Sequence, residues 1–399
     1  MTGIQKFATV FLIFNGIYYW PLSIQAGFGP QHIVLMLTAI VVGCFYCKGK
    51  SKAMFWGSLY FLWQLFIIFI HDAPLRWSTV LFSFGLIYTY VGFYHLVYLK
   101  KVFTLDLFIE IVRFMIHFAF LVCILQQLAI LVGFRSFPAI NLVNAFTEKG
   151  PLACNSLFQE MSIFARSMLV CYYVYIKCCE IKGGTGRLSP LALIQGEHRW
   201  VTLPFLWMML TMASATAIIC LLVFCLYFTT KKNILILIPL FIFGYGFLYQ
   251  IDNKQVQRSL RVIEATKTLD RDNVVGSDGS AATRVAPLIN SLNADFSKAE
   301  TWFGHGLDYG RNNNLTINMT GTLFDDYGFI LFIIGYIFSF KCAYKINSLG
   351  ALFMIMGVGG NLGGNIPYAW ELAMIMTVLR YFMDQRERNR NSTHGVIHA

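Results

Sequence analysis

Five arginines and two proton-accepting side chains are the residues of this chain best suited to chemistry on a polar substrate. Arg284 opens the helix-like stretch RVAPLINSLNADFSKAETWFG. Arg258 and Arg261 stand three residues apart on one face of a second such stretch, KQVQRSLRVIEATKTL, so both can reach one anion. Arg135 begins another polar segment, and Arg166 lies inside an apolar run six residues after Glu160. A guanidinium is a planar fork matched to phosphate oxygens, so a few placed arginines suffice to bind that kind of anion. Glu160 and His305 are the groups that can take a proton from a hydroxyl. The first is a carboxylate at a helix start; the second is an imidazole between two glycines in FGHGLD, where backbone can come close to a substrate. Asp308 and the Asp325–Asp326 pair are further carboxylates in the same region. Plainer readings stand beside these: Glu160 as an acid favoured by the helix dipole, His305 as a turn residue, and the loop arginines as solvated charge.

The elements that must position these groups follow from composition. The 399 residues are 57% hydrophobic and only 13% charged, with mean hydropathy +0.60. A soluble domain carries about 25% charge, so this chain lacks the polar surface of a water-soluble globule. Its net charge of +11 still calls for an account. A nucleic-acid binder gathers Lys and Arg on a polar face, and the chain has too little polar sequence to build one. Apolar runs of membrane-crossing length recur at 4–20, 31–47, 53–70, 77–99, 106–134, 160–178, 198–213, 214–230, 233–250, 323–340, 346–360 and 366–383. The chain therefore reads as an all-α membrane protein of about twelve transmembrane helices. The stretch 198–230 is either one long helix or two that break near Met212–Ser214.

Cytoplasmic loops are enriched in Lys and Arg, and the charge sorts by side. With the N-terminus inside, 18 of the 31 basic residues face the cytoplasm and give that side a net +13, while the opposite side is −2. Both termini are thus expected inside, and the first run reads as a retained helix rather than a removed signal peptide. Arg113, Arg166, Glu110 and Glu371 fall within helices. Glu110, Arg113 and His117 share one helix face, where an i,i+3 pair neutralises itself. Arg166 is different: an ionisable group at that depth marks function by default, unless it only pairs with a carboxylate. The ten cysteines lie mostly in apolar runs and read as packing residues, the Cys44–Cys47 pair included, so neither a disulfide framework nor a metal site is implied. GGNLGGNIP lacks the Lys-Ser/Thr of a nucleotide P-loop.

Two longer segments fall on the external side, 135–159 and 251–322. The second divides the bundle into 1–250 and 323–385, with 386–399 as a cytoplasmic tail. Val256, Leu260 and Ile263 recur at helical spacing, as do Leu288, Leu292, Phe296 and Ala299, with Gly304 as terminator. The loop reads as two amphipathic helices lying on the membrane face, with acidic and basic residues in balance.

Three stretches resemble the O-antigen polymerases and the related O-antigen ligases of bacteria. They are GPLACNSLFQEMSIFARSML, LTMASATAIICLLVFCLYF and SAATRVAPLINSLNADFSKAETWFGHGLDYG, the last followed by DDYGFILFIIGYIF. The likeness spans most of the chain in topology and about a quarter of it by motif. Ala215 and Thr216 stand where the family often has an Arg after its Ser, and Trp302 and Phe303 replace the Pro before Gly-x-Gly. RNNNLTINMT lacks the His that ligases carry ahead of the next helix, which favours a polymerase.

The resemblance implies a metal-independent, cofactor-free transfer at the outer leaflet of the bacterial inner membrane. A glycan on undecaprenyl diphosphate is passed to the sugar of another lipid-linked repeat unit, and undecaprenyl diphosphate leaves. Arg284, Arg166, Arg258, Arg261 and Arg135 would then stabilise the departing diphosphate. Glu160 or His305 would be the base, and Trp302, Asp308 and Tyr309 would hold sugar. Such enzymes usually work with a chain-length regulator in the membrane. A ligase, or a flippase for the same lipid-linked sugars, is the alternative. A transporter should show inverted repeats and midplane charges, and neither is visible here.

Overall fold

The computed structural model describes residues 1–16, 30–41, 43, 49–71, 76–133, 152–158, 161–184, 186–212, 214–228, 246, 257, 260–261, 264, 293–307, 309, 319–345 and 367–397. Among these the chain is helical and has no strand. The helices are α1 (Gly3–Gly16), α2 (Pro30–Val41), α3 (Lys52–Ile70), α4 (Trp77–Tyr98), α5 (Leu105–Leu131), α6 (Met161–Lys182), α7 (Pro190–Leu193), α8 (Arg199–Thr211), α9 (Ala215–Tyr227), α10 (Ala299–Phe303), α11 (Met319–Cys342) and α12 (Pro367–Ile397). Their starts follow local chemistry. Ser51, Thr104 and Ser189 each cap a helix with a side-chain oxygen that accepts from the backbone N–H three residues on.

Ten of the apolar runs fall on helices, while those at 233–250, apart from residue 246, and 346–360 lie outside the described residues. The stretch 198–230 resolves into α8 and α9, broken at Met212–Ser214. Among the described residues, three helices are long and apolar enough to cross a membrane: α3, α4 and α5. Helix α5 shows what such a crossing looks like on the outside. Phe114, Phe118, Leu121, Leu125 and Leu128 are all exposed and recur every three to four residues, an apolar stripe turned away from the core. An exposed stripe of this kind marks contact with something apolar.

The interior belongs to α4 and α6. Helix α6 packs against α5, α9 and α12, and α3 packs against α4 and α11. Most of α6 is buried although it carries three tyrosines, Lys177 and Glu180. Those polar groups find partners inside the protein: Glu180 accepts from Lys177 Nζ at 2.8 Å, Tyr227 OH at 3.0 Å and Leu188 N at 3.0 Å. Gly43 and Gly92 bring α4 against the residues following α2 so closely that a Cβ on either would strike the other's backbone or that of Ala39. Small residues are what permit such an approach.

Helix α12 runs on past the last apolar run to Ile397. Three expectations need correction. The stretch leading into α10 is not one continuous helix. At 293–298 the backbone turns, because Asp295 Oδ1 accepts from Ser297 N at 3.0 Å and Ser297 Oγ at 2.6 Å, a local bond that competes with helix. These bonds hold the Asp295 carboxyl below its ordinary range, the Ser297 hydroxyl contributing most. The Glu110–Arg113 ion pair does not form; both of the His117 ring nitrogens instead face carbonyls, Arg113 O at 2.8 Å and Trp200 O at 2.9 Å. Finally, a disulfide is present, between Cys123 of α5 and Cys154.

Candidate functional site

That disulfide belongs to a segment that re-enters the bundle. Residues 153–158 are buried without being helical. Backbone of this kind needs partners when it leaves water, and two adjacent glutamines of α5 provide them. Gln126 donates to Asn155 Oδ1 and Ser156 O and accepts from Ser156 N at 2.8 Å. Gln127 donates to Leu152 O at 2.9 Å and accepts from Trp207 Nε1 at 3.0 Å. Ser156 Oγ donates to Ala119 O at 2.8 Å. Ala119 lies twelve residues before the end of α5, so the segment dips about 18 Å along that helix at 1.5 Å per residue. A segment read from sequence as external thus enters the bundle just before α6.

The second feature is a turn docked on a broken helix. Helix α10 ends at Gly304, as its sequence suggests, with φ 73° and ψ −168°. Helix α11 breaks at Gly328, with φ 76° and ψ 178°. Both values lie in a region essentially restricted to glycine. The two breaks face each other. A Cβ on Gly304 would meet Asp326 O and Gly328 N, and one on Gly328 would meet Trp302 O. Between them the chain bonds as in a short ladder: His305 N donates to Asp325 O and Gly306 N donates to Asp326 O, each at 3.0 Å.

This docking orients His305. Its Nδ1 lies 3.1 Å from Asp325 O. A carbonyl only accepts, so Nδ1 carries a hydrogen, and in the neutral ring the lone pair is then on Nε2. The ring stacks on Tyr309 at 4.2 Å and 14°, which fixes its plane, and the residue is exposed. An imidazole with one nitrogen tethered to an acceptor and the other open to solvent is the arrangement a general base requires.

A third residue, not singled out from sequence, locks the turn. His71, just past α3, reaches Gly304 O with Nε2 at 2.9 Å and Ile67 O with Nδ1 at 3.0 Å. Both partners only accept, so both bonds form together only when the ring donates from each nitrogen. Behind it, Trp63 and Phe303 stack at 6.2 Å. Trp302 is exposed and engages neighbours on its own side of the turn. Its Nε1 donates to Phe296 O at 2.9 Å, and its ring meets Phe296 and Phe329 edge-on. Asp326 is buried beneath the turn and Asp325 is half-buried.

The remaining expected residues are scattered or undescribed. Arg166 sits in the second turn of α6, half-buried, within electrostatic reach of Cys220 on α9. It belongs to the group of α5, α6 and α9, whereas His305 belongs to α3, α10 and α11. Arg261 is exposed on a helical turn beside buried Leu260, as an amphipathic helix requires. Glu160, Arg135, Arg258, Arg284 and Asp308 lie outside the described residues. The structure therefore joins His305, Tyr309 and the Asp325–Gly328 break, to which His71 is the unforeseen addition. Compared with protein-family models, with curated proteins and with solved structures, the chain matches none.

Proposed function

We propose that this chain is a polymerase of lipid-linked oligosaccharide repeat units, acting in the bacterial inner membrane with its long loop in the periplasm. The observation that carries the reading is the docked turn with the exposed His305 held at Nδ1 by Asp325 O. The likeness of SAATRVAPLINSLNADFSKAETWFGHGLDYG to the O-antigen polymerases supplies the reaction. In that reaction a hydroxyl of the acceptor sugar attacks the anomeric carbon of the donor glycan. The new C–O bond forms as the bond to undecaprenyl diphosphate breaks, His305 Nε2 takes the hydroxyl proton, and the diphosphate leaves with its charge balanced by loop arginines, Arg284 first among them. Tyr309, stacked on the base, and Asp308 belong to the sugar side of the site. The donor and acceptor are both lipid-linked, which fits a site on a bundle whose described residues include three helices long and apolar enough to cross a membrane. The Cys123–Cys154 bond fits the same orientation, since disulfides persist on the oxidising side.

Deleting the gene separates the readings. Surface glycan of a single repeat unit is the outcome expected of a lost polymerase. Polymer stranded on the lipid carrier would identify a ligase, and repeat units trapped inside would identify a flippase.

A further inference from the structure

At the other end of α3 lies a small cavity with unusual lining. Nineteen residues of helix separate Ser51, its N-cap, from His71, so this cavity stands about 28 Å from the docked turn at 1.5 Å per residue. Its volume is about 220 Å³, below the roughly 300–1,000 Å³ of pockets for drug-sized ligands. Five cations line it, Lys50, Lys52, Lys341, Arg380 and Arg388, against one carboxylate, Asp384. That carboxylate is already engaged. Lys345 Nζ reaches it at 2.6 Å, Tyr98 OH donates to it at 3.0 Å, and Arg380 Nε lies 3.7 Å away. Arg380 is itself fixed from behind, donating to Phe340 O and Tyr344 O. Lys50, Lys52 and Lys341 are exposed and have no ion-pair partner among the described residues.

Like charges gathered in a concavity repel one another and focus a positive field there. Ser51 and Lys52 at the start of α3 line the same cavity, and a helix N-terminus adds partial positive charge. The Tyr94–Tyr98 stack, at 4.3 Å, forms a polar-tipped wall. Leu99, which also lines the cavity, is an exposed apolar side chain. Cations, helix N-terminus, hydroxyls and small size together describe a cradle for one tetrahedral anion with a short appendage.

We propose that this cavity binds a phosphate group, carried either on the headgroup of an anionic phospholipid or as free phosphate. The site is separate from the proposed transfer chemistry and does not depend on it. The test is thermal unfolding of the purified full chain. In detergent, inorganic phosphate is titrated against sodium chloride at matched ionic strength. In parallel, nanodiscs of phosphatidylcholine alone are compared with nanodiscs containing phosphatidylglycerol. A saturable rise in Tm with phosphate supports the site with the free ion as ligand; a rise confined to phosphatidylglycerol supports it with the headgroup as ligand. In either case the triple variant Lys50→Gln, Lys52→Gln, Lys341→Gln shifts the half-point at least about tenfold, and the control pair Lys6→Gln, Lys182→Gln does not. Should the triple variant fail to fold, Arg388→Gln at the exposed rim carries the same comparison. No rise with either probe, or an equal rise in wild type and cavity variants, overturns the proposal.

Discussion

The imidazole of His71 joins two parts of the chain 233 residues apart, donating to Gly304 O at 2.9 Å while its other nitrogen faces Ile67 O at 3.0 Å. A side chain at the end of one apolar helix thereby holds the turn that carries His305. His71→Ala leaves the Gly304 carbonyl without this donor, at an expected cost of about 1–3 kcal/mol. Hydrogen exchange reads the effect locally: the His305 and Gly306 amides should exchange faster in the variant. Unchanged protection there would mean that His71 does not secure the turn.

The paired breaks at Gly304 and Gly328 give a sharper prediction. A methyl group at either position meets backbone of the other segment, and both dihedral pairs exclude ordinary side chains. Gly328→Ala is expected to cost on the order of 1–3 kcal/mol or more and to open 299–307 to limited proteolysis. Gly304→Ala should do the same. Because the two glycines share one contact, the double variant should cost less than the sum of the singles.

The disulfide closes a loop between residues 31 apart, for which the chain-entropy relation gives about 3–4 kcal/mol. A reductant should therefore lower the Tm of the wild type and leave the Tm of Cys123→Ser unchanged. Equal sensitivity of the two proteins would show that the bond contributes nothing to the fold.

Activity is the test of the base. In transfer between purified lipid-linked repeat units, His305→Ala is expected to lose about 10²–10⁴-fold in rate. Asp325→Asn should retain most activity, because the group that orients His305 is a backbone carbonyl. Arg284→Ala should abolish long-chain polymer in cells while the protein still inserts. Wild-type chain-length ladders from that variant would sink the assignment of the diphosphate site.

What could be read from sequence was local. Helix α5 announces itself through the long apolar run at 106–134, and Gly304 announces the end of α10. The break between α8 and α9 was visible as a weak point in one long run. What escaped depends on contacts between distant residues. His71 carries no sign of Gly304 in its neighbourhood. Gln126 and Gln127 read as two polar residues in an apolar helix until 152–158 turns back onto them. Cys123 looked like packing for the same reason: its partner arrives on that returning segment. Gly328 stands in the stretch DDYGFILF, but only the approach of Trp302 explains why it is glycine.

The meeting of Gly304 and Gly328 also carries a consequence for descent. Neither position can acquire a side chain while the other keeps its place, so a lineage that loses one has already lost the docked turn and the reason to keep the second. Relatives that retain this turn should hold glycine at both positions, and those that have abandoned it should drift at both. The pair would then serve as a marker, in sequence alone, of which relatives still present a histidine in this way.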